Sequence, residues 1–568
     1  MAPKSIRLRS MSASIPSTTD HSEQLRLAPL PELLAETVAR FGNRPATDFF
    51  GKRLTYAELA QLVERAARGF QLLGVRRGTR VGLCLPNTPY SIICYFAILK
   101  AGGIVVNFNP LYVEREIAHQ IEDSGTTIMV TVDVDKIYPK VAATLGKTCL
   151  ERLVVCPLWR IFPAAKGIFL KLFKSAQFCP IPNDLRHVSF AQLISDRGVV
   201  EHVPIDPQRD LAVLQYTGGT TGVPKGAMLT HANLSANVAQ ICIHMHDVRL
   251  GHERALLLLP LFHVFAMTAG MNYCIAIGAE IVLLPRFNVH EVLRFITKKR
   301  PTLFPGVPTL YAALNAKVST GRYDLSSIRY CISGGAPLPL EVRLRFEQWS
   351  GCKLIEGYGL TEASPVVSGN PIDAEPRSGS VGRPFFGTIV EIRSLENPSL
   401  LMPIGEKGEV CLRGPQIMAA YWNNPAETTS AFIDGALRTG DVGYVDADGF
   451  LFLVDRLKDI ILCGGYNIYP RVVEEALYQH GGVAEAAVIG VPDVYRGQVP
   501  IAFVTLRADC AETATSLLRF LKDYLSPIEM PKSIAIRATL PKTAIGKIDR
   551  KVLIEEERER REAAEVKK

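Results

Sequence analysis

Short apolar runs alternate with longer stretches of helical periodicity through most of the chain. "RVGLCLP" reads as a buried strand, and "SIICYFAILKAGG" after it as a helix. "IVVNFNP", "EREIAHQIEDSG" and "TIMVTV" then give strand, helix and strand. This alternation predicts an α/β fold with largely parallel sheets. Residues 255–285 form the most apolar stretch, in which Glu280 and His263 are the only acid or base. Pro260, Gly270 and Gly278 break it into pieces too short to cross a bilayer, so it predicts a strand over 255–259, a helix over about 264–277 and a strand over 280–284. A second pattern begins beyond "LVDRLKDIILCGG", and from about residue 459 the chain reads as a separate small α+β unit.

Composition narrows the function classes. A chain of 568 residues exceeds the size at which a single core stops growing, so two or more domains are expected. Apolar residues make up 48%, which predicts a large core rather than disorder. The net charge of +8 is modest and its bases are spread along the chain, so no nucleic-acid partner is indicated. Twelve cysteines are scattered without metal-ligand spacing, as expected of buried free thiols in a reducing, cytoplasmic setting. Residues 1–25 read as a disordered leader whose first nineteen carry Lys4, Arg7 and Arg9 and no acid, a faint likeness to a transit peptide. Residues 556–568 are a charge run, expected to be a solvated, fraying helical end.

Candidate chemistry begins at "YTGGTTGVPKGA", residues 216–227. Gly218, Gly219 and Gly222 permit close backbone approach, so successive N–H groups can converge on an anion. Thr217, Thr220 and Thr221 add hydroxyls and Lys225 a cation. The Gly-Lys-Ser/Thr ending of a P-loop is missing, which counts against a P-loop NTPase. As an isolated pattern the stretch fits a phosphate loop or a plain glycine-rich turn.

The full string closely resembles the signature of the adenylate-forming superfamily of acyl-CoA synthetases, luciferases and adenylation domains. "LPLFHVFA" (259–266), "SGGAPL" (333–338), "EGYGLTE" (356–362), "GSVGRP" (379–384), "YWNNPAET" (421–428), "RTGDVG" (438–443), "DRLKDIILCGGYNIYP" (455–470) and "PKTAIGKIDR" (541–550) follow in the family's order. The resemblance implies a large multi-subdomain N-terminal domain, here residues 26–455, a hinge at 456–458 and a small mobile domain at 459–555. It implies ATP, Mg²⁺ and coenzyme A, with a small carboxylic acid as substrate. The acid attacks the α-phosphorus and expels pyrophosphate, so no enzymic nucleophile is needed and catalysis is positioning and charge neutralisation.

By the same resemblance, Lys547 would bridge carboxylate and α-phosphate, Thr361 would touch the α-phosphate, and Glu362 with Thr217 would hold Mg²⁺. Tyr358 would stack on adenine beside Gly334, Gly335 and Ala336, within the segment Glu356, Gly357, Tyr358 and Gly359. Asp441 would take the ribose hydroxyls, assisted by Arg456. Lys458 would be the hinge, and Gly464, Gly465 and Tyr466 would line the pantetheine path. His263 would border the carboxylate and change position between half-reactions. Taken singly, Tyr358 fits a core tyrosine, Asp441 a turn cap and His263 a satisfied core histidine; the joint pattern carries the assignment.

The segment "FHVFAMTAGMNYC" holds no acid, unlike amino-acid-activating members. Phe265, Met267, Met271, Phe304, Val307, Val366 and Val367 are candidates for an apolar tunnel, two or three of them expected to be core instead. Residues 152–183 carry five bases and no acid. There Phe169, Leu172, Phe173 and Ala176 share one helical face, with Lys171 and Lys174 opposite. This resembles the insert of bacterial medium- and long-chain acyl-CoA synthetases, and fits either a membrane-surface helix or a basic loop with a partly buried helix. The reading is a cytoplasmic fatty-acyl-CoA synthetase, with a peripheral membrane contact and a homodimer left open. Its rivals are an aryl or dicarboxylic acid–CoA ligase, an acyl-AMP ligase loading a carrier protein, and a non-catalytic acyl-binding protein on the same fold.

Overall fold

The computed structural model describes residue 25 and residues 27–217, 224–318, 323–463, 466–493, 495–507, 510–543 and 546–565. The leader through residue 24, the loop Gly218–Gly222 and the pair Gly464–Gly465 lie outside the described residues.

The alternating pattern becomes strands and helices at the expected places: Arg80–Cys84, Pro89–Lys100, Ile104–Asn107, Glu114–Ser124 and Ile128–Val132. Helix Pro89–Lys100 buries every residue from Pro89 to Leu99, because it is apolar all round and packed between layers. Helix Glu114–Ser124 is polar on its outer side and ends on Gly125, whose φ of +63° closes the turn.

Two mostly parallel sheets form the large domain. One has seven strands in the order 187–189, 152–156, 128–132, 80–84, 104–107, 211–217 and 225–230. Only its last pair is antiparallel. The other has nine strands, with 353–359, 330–333, 303–306, 254–257, 280–283 and 45–49 parallel at its centre. A third, five-stranded antiparallel sheet spans 389–456.

The apolar stretch at 255–285 folds as strand Arg254–Leu257, helix and strand Glu280–Leu283. Its helix differs from expectation: Phe265–Asn272 is wound as a π-helix before the α-helical turn Tyr273–Ala276. No helix among the described residues is long and apolar enough to cross a membrane.

Beyond the short turn Leu457–Asp459, a second core gathers residues from Ile461 to Leu553 around a five-stranded sheet. Arg550 makes two 2.6 Å contacts with Glu474 and lies 3.5 Å from Asp459, fastening the last helix to this core. That helix, Arg550–Glu565, runs across the expected start of a separate tail at 556. Glu557 is buried and bound to Arg560 and Arg561, so this part of the charge run packs on its own neighbours. Asp455 ties the two units where they meet, accepting the backbone N–H groups of Arg456 and Arg471 at 2.7 Å each.

Candidate active site

In open parallel sheets, ligands bind beyond the carboxyl ends of the strands. In the nine-stranded sheet, strand Leu303–Gly306 runs into Val307 and strand Tyr330–Ser333 runs into Gly334, Gly335 and Ala336. Strand Lys353–Gly359 carries Glu356, Gly357, Tyr358 and Gly359, and Thr361–Ala363 follows as a 3-10 turn. From the seven-stranded sheet, strand Leu211–Thr217 ends at Thr217, paired with Lys225 on the returning strand.

Tyr421 joins these two sets. Its ring lies 5.6 Å from the Lys225 ammonium, and its Oη donates to Glu362 Oε1 at 2.7 Å. The Glu362 carbonyl accepts the Met418 N–H at 2.8 Å. Lys225 also pairs with Glu427 at 2.5 Å. Thr217 and Glu362 are thus linked through Lys225 and Tyr421.

Tyr358 is 8% exposed and donates from Oη to Asp441 Oδ2 at 2.5 Å. Arg456 Nε lies 3.2 Å from the other oxygen of Asp441. The stacking, ribose and arginine candidates therefore form one bonded row. Glu356 accepts the Leu338 N–H at 3.0 Å, and burial pushes its carboxyl up to about 7.

Lys547 reaches this row from the small unit. Gly335 has φ +84°, and a Cβ built there would stand 2.7 Å from Lys547 Cε and 3.2 Å from its Nζ. Phe265 occupies the same relation to Gly334, at 3.2 Å. The lysine loop is fixed by Thr309 Oγ1, which donates to the Gly546 carbonyl at 2.7 Å. Arg507 and Glu341 form a further ion pair between the units at 2.7 Å. Burial lowers the Lys547 ammonium to about 8; Arg456 adds to the shift and Asp441 opposes it. Burial, then the Lys547 charge, holds His263 down at about 3, so it is neutral at ordinary pH.

These shifts give a pH prediction. Lys547 keeps its charge below about 8 and loses it above. If its charge is what adenylation uses, kcat/KM for ATP falls as pH rises through about 8, a limb His263 cannot supply. Lys547→Arg should lack that limb, because a guanidinium stays protonated. An unchanged alkaline limb in the arginine variant would assign it to another group.

The segment carrying His263 is pinned at several points. Asn87 donates to the Leu259 carbonyl at 2.9 Å and accepts from Leu261 N–H at 2.8 Å, and Gln215 donates to the Phe262 carbonyl at 2.9 Å. Among the tunnel candidates, Phe265 and Val307 border the Gly334–Gly335 edge. Met271 lines a cavity of about 10 Å³ with Leu83, Leu85, Tyr95 and Phe262. Phe304 is core, fully buried with its ring 5.8 Å from that of Tyr311. Met267 and Val367 are buried and Val366 half-buried. A cavity of this size is too small for an acyl chain.

Sequence reasoning passed over Tyr421, Asn87, Gln215 and Thr309. Tyr421 stood in a quoted motif and was legible there; the other three are polar residues whose partners are distant in sequence. Lys458 is exposed in the turn Leu457–Asp459, and Tyr466 is 65% exposed on strand Tyr466–Ile468. No group of three or more His, Cys, Asp or Glu side chains able to hold a metal occurs among the described residues. One carboxylate oriented by Tyr421 suits Mg²⁺, a hard ion that keeps waters and takes substrate phosphate oxygens as further ligands.

Comparison with known proteins gives a consistent picture. The profile of the AMP-binding enzyme family matches residues 34–422, and that of the AMP-binding enzyme C-terminal domain matches residues 472–547. A long-chain-fatty-acid–CoA ligase of Bacillus subtilis is 43% identical over 551 residues, covering 96% of this chain and 98% of that one. One of Escherichia coli is 36% identical, covering 94% and 95%. The crystal structure of the anthranilate CoA ligase AuaEII with anthranoyl-AMP superposes with a TM-score of 0.81 at 26% identity, covering 94% of this chain and 98% of that one.

Proposed function

Because the chain belongs to the AMP-binding enzyme family, and is an AMP-forming acyl-CoA synthetase using ATP, Mg²⁺ and coenzyme A, we propose that its acid is a medium- or long-chain fatty acid. The product is acyl-CoA, with AMP and pyrophosphate released. The observation that carries the mechanism is Lys547, brought by the small unit against Gly335 and within electrostatic reach of the Asp441–Arg456 pair.

The residues act in order of approach. Tyr358 and the Gly334–Ala336 backbone flank the base, and Asp441 exchanges part of its bonding to Tyr358 and Arg456 for the ribose hydroxyls. Thr361 and Lys225 meet the phosphates, while Glu362, held by Tyr421, receives Mg²⁺. That ion spreads the triphosphate charge when bound. Lys547 then draws the carboxylate oxygen onto the α-phosphorus, and its positive charge offsets the charge that builds there. His263 is neutral and accepts the Phe265 N–H at 3.3 Å, so it adds no positive charge beside the acid's carboxylate.

After pyrophosphate leaves, the thiol must reach the adenylate carbonyl, which Lys547 now crowds. Rotation about the Leu457–Asp459 turn, with Lys458 at its centre, withdraws the lysine and brings Tyr466 toward the site. We take the enzyme to act in the cytoplasm, in keeping with free cysteines at all twelve positions. We also include a peripheral contact between its basic insert and a membrane surface.

Support for a fatty substrate comes from the acid-free His263 segment with Met267 and Met271 buried, and from the relatives named above. Pyrophosphate release across straight-chain, dicarboxylic and aromatic acids tests it. Each added methylene should raise kcat/KM by up to roughly fourfold through the medium-chain range, given about 0.8 kcal/mol per buried methylene. Acetate equal to longer acids would overturn the fatty-acid reading, and benzoates preferred would overturn it in favour of the aryl alternative that the anthranilate ligase represents.

A further inference from the structure

Lys225 does not point into empty solvent while it waits for a phosphate. It opens strand Lys225–Thr230, and its ammonium pairs with the Glu427 carboxylate at 2.5 Å. The lysine side chain is 12% exposed and that of the glutamate 34%, so the pair is sheltered. Adenylation as described needs no acid at this place, yet the fold supplies one and fixes it.

The fixing is done by backbone. Residues 419–422 run alongside the lysine's strand: Ala419 N–H donates to the Met228 carbonyl at 3.0 Å, Met228 N–H to the Ala420 carbonyl at 2.9 Å, and Trp422 N–H to the Gly226 carbonyl at 2.8 Å. Helix Pro425–Ala431 follows, capped by Asn424, whose side chain accepts the Glu427 N–H at 3.2 Å. Thr428 Oγ1 accepts the Tyr421 N–H at 3.0 Å and donates to the Asn424 carbonyl at 2.8 Å. The helix that carries Glu427 is thereby docked on the strand that carries Lys225.

A carboxylate so placed has two opposite effects on a phosphate. It repels the anion that Lys225 attracts, which weakens the binding of triphosphate and of pyrophosphate alike. It also offers the lysine a partner when pyrophosphate goes, and a sheltered cation left without one is costly. The ammonium can then pass from one anion to another without an unpaired stage.

We propose that Glu427 is a positioning residue for product release: it yields Lys225 to the incoming triphosphate and takes it back as pyrophosphate departs. This role rests on the reading that Lys225 meets the phosphates.

Hydroxamate formation by the full-length protein is to be followed with the acid of the panel above that has the highest kcat/KM. ATP is varied, and pyrophosphate is added as inhibitor. Glu427→Gln keeps the shape and removes the charge. Its KM for ATP and its inhibition constant for pyrophosphate should each fall by roughly fivefold, as expected of one partly exposed charge. Inorganic pyrophosphatase should then speed its turnover by a larger factor than it speeds wild type. Glu427→Asp keeps the charge and should return both constants toward the wild-type values. None of these readouts depends on the fraction of folded enzyme. Lys225→Met should raise both constants by roughly tenfold. Unchanged constants in Glu427→Gln overturn the proposal. So does a rise in either, which would make Glu427 a guide that aims Lys225 at the phosphates. If Lys225→Met handles ATP and pyrophosphate as wild type does, the phosphate reading of Lys225 fails and the release role falls with it.

Discussion

Replacing Lys547 with alanine should abolish adenylate formation, by roughly 10³-fold in rate or about 4 kcal/mol of transition-state stabilisation. The same variant should still convert supplied acyl-adenylate and coenzyme A to thioester at near the normal rate. The asymmetry follows from where the lysine comes from. It is carried by the small unit, anchored through Thr309 and Gly546, and stands at the Gly335 backbone only while the units are together. Its charge matters when the carboxylate meets the α-phosphate, and the thioester step has no such demand. Hydroxamate trapping measures the first step, and thioester formation from synthetic adenylate the second. Equal loss of both by a folded variant would show that Lys547 serves the closed structure rather than the first reaction alone.

Gly335→Val should cost adenylation roughly 100-fold, about 2.7 kcal/mol, with Gly335→Ala between it and wild type. The new Cβ would enter the space that Lys547 Cε now fills, and the φ of +84° is one that side chains rarely adopt. The flexible lysine can move aside, so the protein folds but its cation is displaced. The double variant Gly335→Val/Lys547→Ala should then be scarcely worse than Lys547→Ala alone, because both changes remove one interaction. Full additivity in that cycle would mean that Gly335 acts on the nucleotide alone.

The α/β architecture was readable because its signals are local. A run such as "RVGLCLP" is buried on both faces of a sheet and needs no distant partner to be recognised. The nucleotide row was readable only through the joint order of motifs. Nothing near Asp441 in sequence announces Tyr358, yet the fold places their side chains 2.5 Å apart. The π-helical winding of Phe265–Asn272 left no such mark. Its apolar composition suits an α-helix equally well, and the choice between the two depends on what packs around it. At helix Ala164–Phe173 the periodicity grouped Phe169, Leu172 and Phe173, all exposed, but Lys174 and Ala176 fall beyond the helix's end. Only Phe50, Phe162 and Trp159 show that Lys166 and Lys171 turn back onto the protein.

The contacts that hold the small unit in place set the enzyme's resting poise. The Arg507–Glu341 pair is a surface ion pair, worth at most about 1 kcal/mol. The Thr309–Gly546 bond is a single hydrogen bond of about 1 kcal/mol, and the Asp455–Arg471 bond, accepted by a carboxylate, is one of about 2 kcal/mol. A latch of a few kcal/mol is overturned only by an occupant of the cleft whose preference for the other orientation exceeds it, every ~1.4 kcal/mol shifting a two-state population about tenfold. On the rotation proposed above, whichever nucleotide fills the cleft would set the orientation of the idle molecules, and with it whether they wait for an acid or for a thiol.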